Sequence, residues 1–502
     1  MTENITANNG LTIEEPLIFE QGDKSKTAID IKSFPDVKDC CDSFLRKDEL
    51  GLSGLSEPEV IRHYTRLSQK NYGIDTGFYP LGSCTMKYNP RVNEKMARLC
   101  GFADVHPFQP EITVQGALEA IYELGNWLKE LTGMAEVAMT PAAGAHGELC
   151  GMMAIKAYHD YKKDENRKIV LVPDSAHGTN PATAALCGYA VENIKSLANG
   201  KLDVSLIKER LAGSKGKDVA ALMLTNPNTC GLFENNIIEI SKAIHDAGAL
   251  FYLDGANFNA VMGRVKIADL GADAMHINLH KTFSTPHGGG GPGSGPTVFS
   301  EKLAPFAPLP KVIKSGEHYH LIEDDETNRS FGRMRSFHGQ FGVIVRALSY
   351  VKTMGIDGLK QASGDAVLNA NYILHSLKDV FSAFVKDGYC MHEALFDDES
   401  LKDTGVTTLD IAKALLDEGY HPMTMYFPLV VHGAMLIEPT ETESKKTLDE
   451  FIDVMKKLHQ KAKDGDAEFF KQAPRKTPRR RLDETLAARS PELTFCPCLE
   501  AE

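Results

Sequence analysis

The chain has 502 residues, of which 42% are hydrophobic and 25% are charged, so it is long enough for two or more domains. This composition excludes a disordered chain, a collagen-like repeat and a disulfide scaffold. It carries 55 Lys and Arg against 68 Asp and Glu, a net charge of −13, which argues against a nucleic-acid-binding protein because phosphate contacts need a basic face.

The N-terminal segment and the cysteines indicate the compartment. The segment MTENITANNG lacks the basic start and the apolar core of a signal peptide. No apolar run reaches the roughly 18 residues of a membrane span, so we expect a soluble, cytoplasmic protein. The ten cysteines contain no C-x-x-C pair, so reduced thiols are predicted rather than a zinc ribbon or a thioredoxin motif. Nothing in the sequence assigns a role to Cys496 and Cys498.

The first quarter of the chain predicts an arm, a helix and a long loop. Residues 1–56 are polar and interrupted by Gly and Pro, which is typical of an arm without its own core. Ser56, followed three residues later by Glu59, predicts the capping box of a helix. The stretch 72–90 is a loop of unusual length, and such loops tend to carry function. Helical periodicity returns over 115–131.

Four short apolar runs follow, and each ends in a turn or a helical pattern. Continuous apolar runs of this length are typical of parallel strands that are buried on both faces. A helical pattern over 236–248 separates the second run from the third, so strand, helix and strand alternate. We therefore predict an open α/β sheet with ligand sites beyond the carboxyl ends of its strands. The runs are 168–173, 219–225, 249–254 and 273–278.

The C-terminal third has a different pattern. Long amphipathic helices are predicted over 342–354 and 364–378, followed by short β pieces and a last helix over 447–463. The predicted organisation is an N-terminal arm (1–56), a large α/β domain (57–340), an α+β small domain (341–471) and a tail (472–502). The tail contains a basic run, for which a solvated or partner-facing segment is expected.

Polar residues at the strand ends form a set that suits pyridoxal 5'-phosphate (PLP). Lys281 follows the fourth run, and a lysine must hold the cofactor aldehyde as a Schiff base. Asp254 ends the third run and can keep the pyridine nitrogen protonated. His177 follows the first run and is the candidate to stack on one face of the ring, while the small side chain of Ala256 would permit close approach on the other. Taken singly, a strand-end Asp is more often a turn former and such a Lys is often only solvated.

The phosphate of PLP needs backbone donors. The turn 140–147 precedes a helical stretch, and its small residues would let the amides of Gly144, Ala145 and His146 close on an anion. Asn278, three residues before the lysine, can add a side-chain donor. The glycine-rich stretch 287–296 lacks the order of a nucleotide-binding loop, so we interpret it as a turn that passes close to the cofactor.

Two histidines have the spacing of metal ligands. His276 and His280 are four residues apart, but on a strand-to-loop transition they would not share one face, so no metal site is predicted.

Seven ordered motifs resemble the glycine decarboxylase P-protein of the glycine cleavage system, in particular its separate second subunit. The resemblance runs from about residue 50 to 490 and leaves out the N-terminal arm and the extreme C-terminus. The motifs are YPLGSCTMKYNP, PAAGAHGE, DSAHGTNPA, LTNPNTCGLFE, YLDGANFNA, HINLHKTFSTPHGGGGPGSGP and RRLDETLAAR.

The resemblance implies a PLP-dependent enzyme of fold type I, similar in plan to aspartate aminotransferase, with a mostly parallel sheet in its large domain. It places the Schiff-base lysine at Lys281, the stacking histidine at His177 and the pyridine-nitrogen acid at Asp254. The implied reaction is decarboxylation of glycine, with transfer of the aminomethyl group to the lipoyl group of H-protein. The implied partner is a cofactor-free first subunit, in an αβ or α2β2 assembly, without which the site would be incomplete. The loop 72–90, including Thr85 and Lys87, is then a hypothetical lining of a channel for the lipoyl arm.

Two other functions remain open at this level. One keeps the cofactor and changes the reaction, to an amino-acid decarboxylase or a cysteine desulfurase, although no cysteine lies in an obvious catalytic loop motif. The other is a cofactor-free structural subunit, which would be expected to lack Lys281 and Asp254. Arg333 and Arg335 are candidate ligands of the substrate carboxylate, with surface ion pairing as the ordinary alternative.

Overall fold

A seven-stranded sheet forms the centre of the large domain in the computed structural model of the protein. The structure describes residues 13–23, 25–26, 44, 46–48, 51–288, 293–324, 326–327 and 329–494. The strands of the sheet are β1 (Glu136–Ala138), β2 (Ile169–Pro173), β3 (Ala190–Ile194), β4 (Val219–Thr225), β5 (Leu250–Gly255), β6 (Ala274–Ile277) and β7 (Thr297–Phe299).

The order of the strands is β1-β7-β6-β5-β4-β2-β3. The four predicted strands are β2, β4, β5 and β6, and they pair in parallel, as the apolar runs indicated. Every residue of β4 is buried, because helices cover both faces of the sheet. The sequence did not predict β3, which pairs in parallel with β2, nor β1 and β7, which are three residues each and pair antiparallel.

Helices flank this sheet on both faces and supply its two apolar cores. The helix predicted at Ser56 begins there, and the carboxylate of Glu59 accepts from the Ser56 amide at 2.8 Å. The helices are α1 (Glu57–Lys70), α2 (Arg91–Ala97), α3 (Cys100–Ala103), α4 (Gln115–Thr132), α5 (Gly144–Tyr161), α6 (Thr179–Leu186), α7 (Val204–Leu211), α8 (Ile237–Asp246) and α9 (Leu279–Thr282).

The C-terminal part has its own apolar core and a small antiparallel sheet. A hairpin of β8 (Lys311–Ser315) and β9 (His318–Ile322) precedes it. The four strands of the small sheet lie in the order β10-β11-β13-β12. The remaining elements are α10 (Phe341–Leu377), β10 (Ser382–Ala383), β11 (Ala394–Asp397), α11 (Thr408–Asp417), β12 (Thr424–Met425), β13 (Met435–Ile437), α12 (Lys445–Lys463), α13 (Ala467–Lys471) and α14 (Glu484–Arg489).

Helix α10 differs from its prediction. The sequence predicted two helices separated by 355–363, whereas the structure has one helical element with a single non-helical residue, Gly355, at φ 59° and ψ 179°. Beyond Gly355 the chain is helical again at once, because Leu359, Ala362 and Ser363 place a buried face against the large domain.

The two chain ends contact the body of the protein where they are described. Glu15 of the arm is buried and its carboxylate accepts from the Arg66 guanidinium at 2.7 Å. The tail is mostly exposed, but Arg481 reaches Asp410 of α11 at 2.7 Å, so the basic run is not wholly solvated. Cys496 and Cys498 lie outside the described residues. Within the described ranges, no helix is long and apolar enough to cross a membrane.

Candidate active site

Adjacent parallel strands bring Asp254 and Lys281 to the same edge of the large sheet. Asp254 lies at the carboxyl end of β5, where it is 2% exposed and opposite His276 of β6 in the strand register. Lys281 lies in α9, the single turn that follows β6, and is partly buried. Carboxyl ends of parallel strands share an edge, so residues that are distant in the sequence meet there.

Several donors fix the Asp254 carboxylate. The Ala256 amide donates to Oδ1 at 2.9 Å, and the Thr225 hydroxyl donates to Oδ2 at 3.4 Å. With its amide nitrogen directed at the carboxylates, Asn180 donates to Oδ2 at 3.2 Å. Nε2 of His276 lies 3.6 Å from Oδ1. These contacts hold the carboxylate in one orientation at the strand end.

A second carboxyl group, that of Glu148, lies beside Asp254. The sequence did not identify it as a candidate site residue. The hydroxyl of Thr179 donates to Oε1 of Glu148 at 2.7 Å, and the Asn180 amide nitrogen, in the same orientation, lies 3.0 and 3.2 Å from its two oxygens. Burial, followed by the charge of Asp254, raises the pKa of Glu148 to about 8. Glu148 is therefore protonated at neutral pH. Its position one helical turn after Gly144 is the signal that could have found it, because both residues lie on one face of α5.

His177 is connected to the same carboxylates. Its side chain is exposed at the start of α6, and Nδ1 lies 2.8 Å from the Thr179 hydroxyl that bonds Glu148. Ala256 is half-buried two residues beyond Asp254. The structure thus brings both ring-facing candidates to the edge that holds Asp254.

The loop 72–90 reaches the site, as a functional loop should. Nζ of Lys281 donates to the Ser83 carbonyl at 2.8 Å, a contact between residues 198 positions apart. The two residues proposed to line a channel are buried instead: Thr85 is 0% exposed and Lys87 is 3% exposed. Lys87 forms an ion pair with Glu441 at 2.9 Å, which a solvated channel lining would not require. Both side chains therefore pack against the C-terminal part of the chain and are buried there.

The turn before α5 forms an anion cradle. The helix begins at Gly144 and its first main-chain bond runs from the Gly147 amide to the Ala143 carbonyl, so the amides of Gly144, Ala145 and His146 have no acceptor within the helix. A Cβ atom on Gly144 would lie 2.5 Å from Oδ1 of Asn278, and a Cβ atom on Gly295 would lie 2.1 Å from the Ala143 carbonyl. The glycine-rich stretch, of which 289–292 are outside the described residues, therefore passes directly against this turn.

These residues fit the phosphate and ring of PLP. The Asn278 amide group faces the cradle, because Oδ1 and Nδ2 would lie 2.5 and 2.9 Å from a Cβ atom on Gly144. Oδ1 is buried and has no hydrogen-bond partner within the described ranges, and Nδ2 is the donor that a phosphate would use. The imidazole of His146 accepts from the Ala142 amide at 3.0 Å and so closes the turn, leaving its own amide for an anion. The donor set matches a phosphate next to a ring-nitrogen acid and a lysine.

The remaining candidates lie in different surroundings. Arg333 forms a surface ion pair with Glu323 at 2.8 Å, the ordinary alternative named for it. Arg335 lies close to His146, whose pKa is lowered by burial and by the Arg335 charge. His276 bonds the Tyr252 hydroxyl at 2.6 Å. His280 instead faces His287, with ring centroids 5.1 Å apart.

One cysteine, Cys84, lies close to Lys281. Cys84 follows Ser83 in the loop that contacts Lys281, and it is partly buried. Burial raises the pKa of its thiol. The thiolate is the reactive form of cysteine. Cys84 is therefore well placed to react near Lys281, but its raised pKa keeps it in the less reactive thiol form.

Comparison with known proteins assigns the class. Residues 147–332 match the family model described as aminotransferase class-V. A crystal structure of glycine decarboxylase (P-protein) of the glycine cleavage system, in inhibitor-bound form, has a TM-score of 0.68 at 20% identity, over 84% of this chain and 93% of that chain. A cysteine desulfurase from Thermococcus onnurineus has a TM-score of 0.58 at 17% identity, over 77% and 95%. Fold and site together define a PLP-dependent enzyme of fold type I.

Relatives in sequence narrow this class to one family. Probable glycine dehydrogenase (decarboxylating) subunit 2 of Caulobacter vibrioides is 59% identical over 99% of this chain and 95% of its own length, and the protein of that name from Caldanaerobacter subterraneus is 53% identical over 95% and 98%. The chain belongs to the family of glycine dehydrogenase (decarboxylating) subunit 2. Residues 362–476 also match the model described as glycine dehydrogenase, C-terminal domain. The resemblance seen in the seven motifs is confirmed.

Proposed function

We propose that the chain is the cofactor-bearing subunit of the P-protein of the glycine cleavage system. Its reaction is the PLP-dependent decarboxylation of glycine, with transfer of the aminomethyl group to the lipoyl group of H-protein. The observation that carries the proposal is the meeting of Asp254 and Lys281 at neighbouring strand ends, in a chain 59% identical to a protein named for this activity.

Residues of the large domain would hold the cofactor. The amides of Gly144, Ala145 and His146, with the side chain of Asn278, would bind its phosphate, and Lys281 would bind its aldehyde carbon. When bound, PLP would supply an electron sink for the bonding electrons that remain as carbon dioxide leaves glycine. The amine of Lys281, when it is not bonded to the cofactor, would move protons at the substrate carbon.

The two carboxylates near the ring have different tasks. Asp254 would keep a proton at the pyridine nitrogen, and the bond from the Ala256 amide helps to fix the orientation of its carboxylate. Glu148 remains neutral because its pKa is raised to about 8 by burial and by Asp254. A single negative charge would therefore face the ring nitrogen, with His177 and Ala256 as the residues for the two faces of the ring.

The partners follow from the family. The relatives are named subunit 2, which supports a first subunit as the partner, in an αβ or α2β2 assembly. Lipoylated H-protein is the acceptor and glycine is the substrate. We place the assembly in the cytoplasm. Neither nucleic acid nor a membrane is a partner in this proposal.

Glycine–bicarbonate exchange tests the reaction. The chain is co-expressed with a candidate first subunit and assayed with and without lipoylated H-protein; we expect exchange only when all components are present. Exchange by this chain alone would contradict the two-subunit proposal.

Lys281→Ala tests the site. This variant should lose the absorption band near ~420 nm and the borohydride-reducible link to the cofactor, because it removes the amine that follows β6. Lys87, a second lysine near α9, is held by Glu441 at 2.9 Å and by the Thr282 carbonyl at 3.2 Å. Lys242→Ala, which removes an exposed ion pair with Asp246, is the matched control and should keep both. An unchanged spectrum in Lys281→Ala would contradict the assignment of Lys281 as the lysine that binds the cofactor.

Cys84 makes a cysteine desulfurase the second candidate function. Its place beside Ser83 favours that reaction, and the raised pKa of its thiol opposes it. Cys84→Ser should keep glycine–bicarbonate exchange, and the wild-type protein should release no sulfide from cysteine. Sulfide release that depends on Cys84 would favour the desulfurase.

A further inference from the structure

A buried acidic pair in the small domain lies outside the site described above. Glu393 precedes β11 and Glu438 follows β13, and the strand register aligns their neighbours, Ala394 with Ile437. The antiparallel pairing therefore brings the two carboxylates together. Both side chains are 0% exposed, as is the adjacent His392. Burial of two carboxyl groups costs free energy unless hydrogen bonds or opposite charges compensate for the lost water.

The loop 72–90 is what these acids bind. The Ser83 amide donates to Oε2 of Glu393 at 2.8 Å. The amide and the hydroxyl of Thr85 donate to Glu438 at 3.0 and 2.6 Å. Ser83 and Thr85 have φ values of 66° and 49°, a region that residues other than glycine seldom adopt. The two carboxylates thus hold a strained turn by its own backbone.

The same turn contacts the cofactor lysine. The carbonyl of Ser83 accepts from Nζ of Lys281 at 2.8 Å, while the Ser83 amide binds Glu393. The main chain of the loop is also joined to β13, where the Gly82 amide donates to the Leu436 carbonyl at 3.3 Å. A continuous chain of contacts therefore runs from the small domain through one residue to Lys281.

We propose that Glu393 and Glu438 are positioning residues, which hold the turn at Ser83 and Thr85 so that the Ser83 carbonyl orients the amine of Lys281. This inference deepens the proposed function and rests on the role assigned there to Lys281. It gives the small domain a direct part in setting the geometry of an amine carried by the large domain.

Electrostatics support a shared single charge in this pair. Burial raises the pKa of Glu438 to about 7, and burial together with the charge of Glu438 raises the pKa of Glu393 well above its ordinary value. Glu438 accepts from two donors of Thr85 and so carries the charge, while Glu393 holds the proton. Lys87 and Lys281 supply nearby positive charge.

A metal ion is the competing occupant of this cluster. His392, Glu393 and Glu438 offer ligand atoms within 4.8 Å of one another. Three of the four carboxylate oxygens, however, already accept from Ser83 or Thr85, and two lysine charges oppose a cation. The geometry favours a bound backbone turn over a bound metal.

The test compares Glu393→Ala and Glu393→Gln in the co-expressed complex. Glutamine keeps a neutral acceptor for the Ser83 amide, and alanine removes it. Asp417→Ala is the matched control, because Asp417 is a buried small-domain carboxylate that accepts from the amides of Arg475 and Lys476 at 2.6 and 2.8 Å, and it makes no contact with the loop. The measurements are the visible absorption of the lysine-bound cofactor, the pH titration of that band, the rate at which added PLP attaches to Lys281, and the thermal midpoint.

We expect Glu393→Ala to slow attachment by about tenfold, equivalent to 1.36 kcal/mol in the barrier, and to shift the titration of the band. Glu393→Gln should restore both, and Asp417→Ala should lower the thermal midpoint without moving either. The inference is overturned if Glu393→Ala changes only the thermal midpoint, if glutamine fails to rescue, or if the purified wild-type complex carries a stoichiometric metal that Glu393→Ala loses. A wild-type complex without the cofactor band would instead contradict the proposed function.

Discussion

Two pairs of buried carboxylates lie within electrostatic reach of Lys281, one in each domain, and they are built differently. Asp254 and Glu148 of the large domain are held mainly by the side chains of Thr225, Asn180 and Thr179. Glu393 and Glu438 of the small domain are held mainly by the backbone of a loop. Each pair contains one neutral member, because two charges cannot be buried side by side without cost.

The difference shows that a pair of buried carboxyl groups can have either of two functions. Asp254 is held mostly by side chains of the large domain at the carboxyl end of a strand, where a ligand would bind, so the first pair presents charge. The amide and the hydroxyl of the loop residue Thr85 occupy both oxygens of Glu438, so the second pair shapes the chain. Removing one acid from each pair should therefore alter chemistry in the first case and geometry in the second.

Asp254→Asn should give the largest effect. The amide cannot keep the ring nitrogen protonated, so we expect turnover of the complex to fall by about 100- to 10,000-fold. Asp273→Asn is the matched control, since Asp273 is a buried acid of the same sheet that binds the Phe251 amide and His245. It should cost stability and leave the cofactor spectrum unchanged. Equal losses of turnover in the two variants would remove the special role of Asp254.

Thr85→Val should give an intermediate effect, on stability. It removes a hydroxyl bond to the Glu438 carboxylate, and bonds to charged groups are worth about 1.5–3 kcal/mol. Thr408→Val removes a buried hydroxyl bond to the neutral Gly433 carbonyl and should cost only about 0.5–1.5 kcal/mol. Denaturant unfolding of the two variants measures the difference. Equal costs would mean that Glu438 is not the charged member of its pair.

Glu148→Gln should give the smallest effect, a change in pH dependence. The pKa of Glu148 is raised from 4.5 to about 8, so the cofactor-free folded protein holds a proton that the unfolded chain releases. The contribution of Glu148 to the stability of the wild type is therefore fully present below about pH 4.5 and is lost as the pH rises through about 8. Glutamine stays neutral, so the decline should be shallower in the variant. Denaturation midpoints between about pH 5 and pH 8 give the measurement, and parallel curves would contradict a raised pKa for Glu148.

The strand-end residues were predictable because a local rule covers them. Asp254 and Lys281 each follow a continuous apolar run, and parallel pairing of neighbouring strands is enough to bring their ends together. The capping box at Ser56 and the start of α5 at Gly144 are equally local. Each of these depends on residues within one turn or one strand.

The second acid pair, Glu393 and Glu438, could not be predicted from local sequence patterns. Glu393 and Glu438 meet only because β11 pairs with β13, strands of three or four residues that carry little periodicity. The short antiparallel strands β1 and β7 escaped prediction for the same reason. The burial of Thr85 and Lys87 was also hidden, because a polar loop gives no sign of which side chains another domain will cover.

The amino-acid sequence by itself determined the class of the protein, four of its five parallel strands and the pair of residues, Asp254 and Lys281, on which the proposed chemistry depends. Apolar runs and the turns that end them carry that information locally. Only the tertiary structure decided which acids are neutral, which loop contacts Lys281 and how the small domain reaches the site. Those properties arise from burial and from contacts between distant segments, such as Ser83 with Lys281, 198 residues apart.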